Sequence, residues 1–333
     1  MHLDLTTVWA GIIVFAIVMY VVMDGFDLGI GILFTKFRVG AERDTAMNAI
    51  APVWDGNETW LVLGGGGLMA AFPLAYAIIL PALYAPIIAM LLGLVFRGVA
   101  FEFRWRDANH RARWDAGFCL GSIIATFAQG VTLGALLQGI KIGGRAYAGG
   151  YWDWLTPFSV LTGACLLIGY SLLGACWLIW RTSGPVHAEA RRLARVLTPA
   201  MLAAIGAVSI YTPFLSAKYR ETWFTWPGVC ALGLMPVAVA AIGITLYRRC
   251  VTGRDFLPFA LALSLFGMSL LGLAISLWPD IIPSRLSIWD AAAPPSSQVF
   301  MLVGASVLMP LILGYTAWAY WVFRGKVAAE GYH

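Results

Sequence analysis

The chain has 333 residues, of which 60% are hydrophobic and only 12% are charged, and its mean hydropathy is +0.80. This composition excludes a soluble globular protein, whose helices need polar faces toward water, and is typical of a polytopic α-helical membrane protein. The net charge of +5 comes with no clustered basic motif, so no nucleic-acid partner is expected.

Apolar stretches of about 20 residues, long enough to cross a bilayer as a helix, recur along the whole sequence. They predict an all-α protein with nine transmembrane helices, packed as helical bundles in one integral membrane domain over residues 1–333. The predicted helices are residues 7–34, 48–71, 73–101, 115–138, 155–180, 197–215, 226–247, 257–277 and 297–323.

The basic residues predict the orientation of these helices. Most of the 22 lysines and arginines follow odd-numbered helices or lie at the C-terminus. Because short cytoplasmic loops retain basic residues, the N-terminus is predicted to be periplasmic and the C-terminus cytoplasmic. The first apolar stretch lacks a basic leader region and contains aspartates, so it is predicted to be a retained helix.

Two predicted helices carry paired carboxylates. The first contains Asp24 and Asp27 in VVMDGFDLGIG, and the second contains Asp55 and Glu58 in WDGNETW. Residues three apart lie on one helix face, so each pair is predicted to share a face. With a rise of about 1.5 Å per residue, all four acids fall in the cytoplasmic half of the membrane.

Two further residues belong to the same predicted region. Arg97, in FRGVAFEFR near the inner end of the third helix, is the candidate counter-ion for the acids. Trp60 is about 18 Å along the second predicted helix and therefore close to the bilayer midplane.

Glycine is concentrated in the same two helices. Gly25, Gly29 and Gly31 predict a groove where another helix approaches closely. The run of four glycines at 64–67 lacks the GxxxxGK[ST] pattern of a phosphate loop and is also predicted to serve close helix packing. A second interpretation is that the thin glycine walls leave a path for a small apolar molecule.

The acids permit two interpretations. In the first, they form a buried salt-bridge and capping network that fixes helix contacts. In the second, they mark a proton or ion route, because an ionisable group at this depth is costly and seldom kept for packing alone. Four acids on one side of the membrane favour a functional role, above all for Asp55.

Histidine is absent from the predicted helix interiors, since His2, His110, His187 and His333 fall in loops or at termini. A membrane-buried haem or copper ion normally takes a histidine ligand, so the chain is predicted to carry no haem of its own. The five cysteines show no CxxC spacing and are predicted to be small core residues, so no metal site is expected.

The motifs together resemble subunit II of the cytochrome bd-type quinol oxidases, which include the cyanide-insensitive oxidases. The similar segments run from the first helix to the last: MDGFDLGIGIL at 23–33, NAIAPVWDGNETWLVLGGG at 48–66, FRGVAFEFR at 96–104, LLQG at 136–139, IIPSRLSIWDAAAPPSSQ at 281–298 and YTAWAYWVF at 315–323. The pair DGFDLG and WDGNETW is the most specific, because both motifs are long and are tied to the same two helices.

The resemblance implies a haem-bearing subunit I as partner, holding two b-type haems, haem d or a b-type substitute, and the quinol-binding loop. The complex would oxidise ubiquinol or menaquinol at the outer side of the bacterial cytoplasmic (inner) membrane. It would reduce dioxygen by four electrons to water with cytoplasmic protons. The family also implies contacts with membrane lipid and quinone, small single-helix accessory subunits in some members, and a structural quinone in others.

The resemblance also implies roles for individual residues, none of them catalytic in the strict sense. Asp55 resembles the aspartate proposed to deliver cytoplasmic protons toward the haem site, by way of waters and carboxylates of subunit I. Trp60 resembles the tryptophan beside the proposed dioxygen route. Asp24 and Asp27 match an acid pair that is either structural or proton-conducting, and Glu58 stands where some relatives carry glutamine.

Two other functions stay open from the residues alone. A proton- or sodium-coupled secondary transporter also uses paired acids near broken helices, although the two halves of this chain share no repeated motif. A purely structural subunit, a haem-free scaffold that buries one face of subunit I, is compatible with the resemblance.

Overall fold

The structure is a computed structural model that describes residues 4–226, 228–251 and 253–327. The described chain is built almost entirely from helices. In chain order they are α1 (Leu5–Leu33), α2 (Ala41–Asn48), α3 (Trp54–Ala71), α4 (Pro73–Ala82), α5 (Tyr84–Arg106), α6 (Arg111–Leu137), α7 (Pro157–Arg181), α8 (Gly184–Tyr211), α9 (Ala217–Phe224), α10 (Gly228–Val251), α11 (Phe256–Leu277), α12 (Ile288–Ala291) and α13 (Pro295–Val322).

Within the described residues, eight helices are long and apolar enough to cross a membrane: α1, α5, α6, α7, α8, α10, α11 and α13. The predicted class, an all-α polytopic membrane protein, is therefore confirmed. The predicted count of nine depends on α3, which has 18 residues but carries Asp55, Asn57 and Glu58 in its first turns. The ninth crossing stays a prediction.

Three predicted boundaries are wrong for identifiable reasons. The second helix begins at Trp54 instead of residue 48, because residues 49–53 form hydrogen-bonded turns around Pro52. The predicted helix 73–101 is divided at Leu83, three residues before Pro86, whose ring nitrogen cannot donate to the carbonyl four residues earlier. The predicted helix 197–215 begins at Gly184, because its first turns are helical but charged and so fall outside an apolar stretch.

Two short antiparallel hairpins lie between helices. In the first, β1 (Ile142–Gly143) pairs with β2 (Ala146–Tyr147) after α6. In the second, β3 (Asp280–Ile282) pairs with β4 (Leu286–Ser287) after α11, with an irregular register. The basic residues of the sequence assign both hairpins to the outer side, where α4 and α12 also lie.

Helix α1 packs against α3, α6, α7 and α13, and two of its contacts depend on glycine. A β-carbon at Gly29 would overlap the backbone of Tyr170 in α7, and one at Gly31 would overlap the side chain of Ser122 in α6. The predicted groove on the first helix is therefore confirmed. Such close backbone approach is the usual role of small residues between membrane helices.

The end of the described chain is tied to two cytoplasmic loops. The Nζ atom of Lys326 donates to Thr182 O at 2.7 Å and to Asp255 Oδ2 at 2.6 Å. Arg191 Nη2 donates to the other oxygen, Asp255 Oδ1, at 2.9 Å. Asp255 therefore joins the loop before α11 to α8 and to the segment after α13.

Candidate functional site

Arg97 joins acids from two other helices inside the protein. Its Nη1 atom donates to Asp24 Oδ1 at 2.7 Å, and its Nη2 atom donates to Glu58 Oε2 at 2.7 Å. The side chains of Arg97 and Asp24 are 2% and 0% exposed, whereas that of Glu58 is 30% exposed. Because a guanidinium is planar and presents several N–H groups, one side chain connects α1, α3 and α5.

The depth of Arg97 depends on a close crossing of α5 and α6. A β-carbon at Gly121 in α6 would come within 2.8 Å of Arg97 N. A β-carbon at Gly93, one turn earlier in α5, would come within 2.8 Å of Gly121 O. The two backbones are therefore in direct contact, and this contact fixes where Arg97 leaves α5.

Asp27, one turn after Asp24, has a different set of partners. The Nδ2 atom of Asn57 donates to Asp27 Oδ2 at 2.7 Å, and the Tyr320 hydroxyl donates to Asn57 Oδ1 at 2.8 Å. Asp27 is 0% exposed and Asn57 is 1% exposed. Asn57 thus connects α1 and α3 with α13, although the sequence analysis passed over it between the two acids of WDGNETW.

Asp55 stands apart from this buried group. It lies in the first turn of α3 and is exposed on the surface of the chain. Among the described residues, Arg97 forms ion pairs with Asp24 and Glu58 and none with Asp55. Arg97, the counter-ion expected from the sequence, therefore pairs with Asp24 and Glu58. Asp55 lies on the exposed surface of α3 instead.

One face of α3 is uncovered along its whole length. Its exposed positions recur every three or four residues and include Asp55, Thr59, Val62, Gly66 and Met69. A β-carbon at Gly65 or Gly66 would meet nothing within 4 Å.

The other two glycines of the run face α1 instead. The nearest α1 atom would be 3.7 Å away at Gly64 and 3.3 Å at Gly67. The predicted role of the glycine run in packing is therefore confirmed within this chain for only half of its members.

Trp60 is buried against the middle of α1. Its ring packs edge-to-face on Phe15 at 5.7 Å between centroids, and it clusters with Ala16, Tyr20 and Met23. Since α3 begins at Trp54, Trp60 is only about 9 Å along its helix instead of the 18 Å expected. Its contacts nevertheless lie near the centre of the 29-residue helix α1. The position of Trp60 near the bilayer midplane stays a prediction.

Two tyrosines lie beside Asp24 and were also missed by the sequence analysis. Tyr20 is one turn before Asp24 on α1, and Tyr170 comes from α7. They are 3% and 0% exposed. A β-carbon at Gly25 would lie 2.8 Å from Tyr170 Cε1, so glycine makes room for this ring. The spacing of four residues could have revealed Tyr20, but no sequence pattern points to Tyr170.

A second arginine centre lies two turns further along α5. The Nη1 atom of Arg104 is 2.7 Å from Asp44 Oδ1, and its Nε atom donates to Asp115 Oδ1 at 2.5 Å. Arg43 Nη1 donates to the other oxygen of Asp115 at 2.6 Å. This centre connects α2, α5 and α6 near the cytoplasmic ends of these helices.

The two histidines in the described part of the chain, His110 and His187, lie at its cytoplasmic side. The ring nitrogens of His187 are 3.0 Å from Ile179 O and 2.9 Å from Arg191 Nε, and His110 contacts Asp107. His2 and His333 lie outside the described residues. Neither described histidine is in the interior of a spanning helix, where an axial haem ligand would be needed.

The motifs on α1, α3 and α5 are those of a known family. Residues 5–323 match the family described as cytochrome bd terminal oxidase subunit II. The chain belongs to this family. The resemblance found in the sequence is therefore confirmed over nearly the whole chain.

This subunit II is similar to proteins of several bacteria. It is 30% identical to the cytochrome bd-I ubiquinol oxidase subunit 2 of Escherichia coli (strain K12), over 97% of this chain and 95% of that protein. It is also 30% identical to the cytochrome bd ubiquinol oxidase subunit 2 of Bacillus subtilis (strain 168), over 98% and 97%. A solved bd oxidase from Geobacillus thermodenitrificans shares its fold, with a TM-score of 0.78, 15% identity, and coverage of 96% of this chain and 99% of that one.

Membership decides between the classes of protein considered from the sequence. This subunit II is part of an oxidoreductase complex that works with haem and quinol, and its partner is a subunit I. It is a multi-pass protein of the bacterial inner membrane. The interpretation as an ion-coupled transporter is thereby set aside.

Proposed function

We propose that this subunit II carries cytoplasmic protons toward a haem-bearing subunit I, which oxidises ubiquinol or menaquinol and reduces dioxygen by four electrons to water. One observation carries the proposal. Three buried or half-buried carboxyl groups, Asp24, Asp27 and Glu58, lie around the single guanidinium of Arg97 in the described part of the helices.

The balance of charge supports a proton-holding role. One guanidinium neutralises one carboxylate, and an unbalanced charge in a low-dielectric interior is costly. A group of three carboxyls and one arginine is therefore close to neutral only when it also holds protons.

Asp55 is proposed as the first acid on this route. It is exposed at the cytoplasmic start of α3, and Glu58 follows one turn later on a partly exposed surface. From Glu58 the route reaches Asp24 by way of waters, or passes directly to carboxylates of subunit I across the uncovered face of α3. Arg97 holds Asp24 and Glu58 near each other and does not itself pass the proton. Asp24 and Asp27 are assigned to proton storage.

The uncovered face of α3 is proposed to lie against subunit I. Its glycines would let the partner backbone approach closely, which is how small residues serve membrane helix interfaces. Trp60 lies on the opposite, covered face of α3 beside α1 and is proposed to border the path of dioxygen from the lipid. The two b-type haems, and haem d or its b-type substitute, are assigned to subunit I, and no cofactor is assigned to this chain alone.

The test is the variant Asp55→Asn in the assembled oxidase. Quinol-driven oxygen consumption per haem is expected to fall by about a hundredfold or more, from the lower end of the range typical of a group that transfers a proton. The matched control is Glu102→Gln, which removes an exposed acid near the inner end of α5. Unchanged turnover in Asp55→Asn would contradict the proposal, and loss of haem or assembly would support the structural interpretation.

A further inference from the structure

A cavity of about 380 Å³ opens on the outer side of the chain, where α6 ends and α5 and α7 begin. Its polar and aromatic lining comes from Gln138, Lys141, Tyr147, Trp152, Asp153 and Trp154. Leu83, Ala135 and Ile140 add an apolar wall. The volume lies within the roughly 300–1,000 Å³ typical of small-molecule sites, and none of these residues belongs to the acid cluster.

The lining carries one charge of each sign. Lys141 Nζ lies 3.0 Å from Asp153 Oδ2, and these side chains are 71% and 37% exposed. The hydrogen bonds from Lys141 and from the Gly150 backbone hold the pKa of Asp153 below its usual range. The carboxylate of Asp153 is therefore charged at neutral pH, and so exposed an ion pair is easily opened by another ionic group.

Aromatic rings form a second part of the lining. The rings of Trp152 and Trp154 lie 5.9 Å apart between centroids, and Tyr147 in β2 also lines the cavity. The indole N–H of Trp154 is buried and meets no acceptor among the described residues. A buried donor without an acceptor is costly, so the unpaired indole N–H favours a ligand that accepts a hydrogen bond.

We propose that this cavity binds the head group of a zwitterionic phospholipid of the outer leaflet, of the phosphatidylethanolamine class. The phosphate would accept from Lys141 and from the Trp154 indole, while the ammonium would lie beside Asp153 and the aromatic faces. The apolar wall would hold the glycerol and the first acyl carbons.

The lining argues against two other ligands. An anionic phospholipid would gain from Lys141 but would be repelled by Asp153, with no second charge to satisfy that carboxylate. Free phosphate would meet the same repulsion and would leave the apolar wall in water. The site lies away from α3, so it stands whether or not Asp55 carries protons.

The experiment uses the oxidase complex, delipidated in mild detergent and titrated in native mass spectrometry with phosphatidylethanolamine or phosphatidylglycerol of the same acyl chains. The test variants are Trp154→Phe, which keeps the ring and removes the N–H, and Asp153→Asn. The matched control is Arg145→Gln, which removes an exposed charge from the turn of the same hairpin without lining the cavity. Haem spectra and thermal unfolding confirm that each variant is assembled.

The wild-type complex should bind phosphatidylethanolamine at least about fivefold more tightly than phosphatidylglycerol, and Trp154→Phe should weaken that binding by about three- to tenfold. Asp153→Asn should abolish the preference, and Arg145→Gln should change neither affinity. Equal affinities for the two lipids in the wild type would overturn the assignment. So would competition by inorganic phosphate alone, which would identify an anion site. If Trp154→Phe does not assemble, Asp153→Asn decides the question, because its side chain is partly exposed.

Discussion

Arg97 and Arg104 lie two turns apart on the same face of α5, and both side chains are almost fully buried. The charges around them are nevertheless balanced in opposite ways. Three acids lie near Arg97. Asp24 and Glu58 pair with it directly, and Asp27 lies one turn after Asp24 on α1. Acid is in excess there, in the part of the chain assigned to the membrane interior.

Around Arg104 the excess is cationic. Asp115 is shared by Arg104 and Arg43, and Asp44 lies 2.7 Å from Arg104 and 3.8 Å from Arg111. Three guanidiniums thus meet two carboxylates at the cytoplasmic ends of the helices, where anionic lipid surfaces attract basic groups. The comparison teaches that one residue type on one helix face serves two purposes. The centre at Arg104 has more cations than acids, and the centre at Arg97 has more acids than cations.

The largest effect is expected from Arg97→Met, which leaves Asp24 and Glu58 without their common partner. Breaking a buried ion pair from one side costs about 3–5 kcal/mol, so unfolding of the complex should occur at lower temperature and haem should be lost on purification. Thermal unfolding followed by haem absorbance measures this. The control Arg97→Lys keeps the positive charge but cannot span two carboxylates. Its unfolding temperature should therefore fall between those of the wild type and Arg97→Met. Wild-type stability in Arg97→Met would show that the acids need no counter-ion.

A smaller effect is expected from Asp115→Asn at the second centre. The substitution removes one charged acceptor from two guanidiniums and should destabilise the complex by about 2–3 kcal/mol. Turnover per intact complex should not change, because this centre has no surplus acid. Paired measurements of thermal unfolding and oxygen consumption test the distinction. A turnover defect at full haem content would mean that the two centres do not differ in purpose.

The smallest effect is expected at Asp255, whose side chain is 32% exposed at the cytoplasmic surface. Burial raises the pKa of Asp255, but hydrogen bonds from Lys326 and Arg191 outweigh it and hold the pKa below its usual range. A lowered pKa adds stability above the unfolded value of about 3.9, and this stability is lost as the pH falls through the folded value.

Asp255→Asn should therefore cost about 0.5–1 kcal/mol at neutral pH, the range of an exposed ion pair. The difference from the wild type should vanish in acid. Denaturant unfolding at a series of pH values measures it, and raised salt should reduce it. A difference that persists at the acid end would show that packing, and not charge, holds this contact.

Hydropathy and charge predicted the helical membrane class, and the motifs predicted the acids and Arg97. The contacts that the sequence could not predict depend on where the helices cross in the folded chain. Tyr170 comes beside Asp24 because Gly29 and Gly25 admit α7, and nothing near Tyr170 in the sequence indicates this. Asn57 and Tyr320 are 263 residues apart, and only the docking of α13 brings them into contact.

The wrong boundaries have a local cause. An apolar stretch indicates where lipid can lie against the chain, but it does not indicate where backbone hydrogen bonds stop. The chain stays apolar through Leu83 although Pro86 interrupts the helix. It turns charged over residues 184–196 although the helix is continuous there. The sequence likewise did not show that Arg97 and Arg104 have opposite charge balances, because Asp115 and Asp44 come to Arg104 from other helices.

The distance along the chain between the acids and their partners also sets an order of events during synthesis. Asp24 precedes Arg97 by 73 residues, and Asn57 precedes Tyr320 by 263. At roughly 5–20 residues per second, the ribosome makes α1 about 4–15 s before Arg97 exists, and α3 waits about 13–50 s for α13. During that interval the nascent first helix holds two acids without the arginine that later neutralises them. The insertion machinery must therefore retain α1, or accept it with its carboxyls protonated, until α5 arrives.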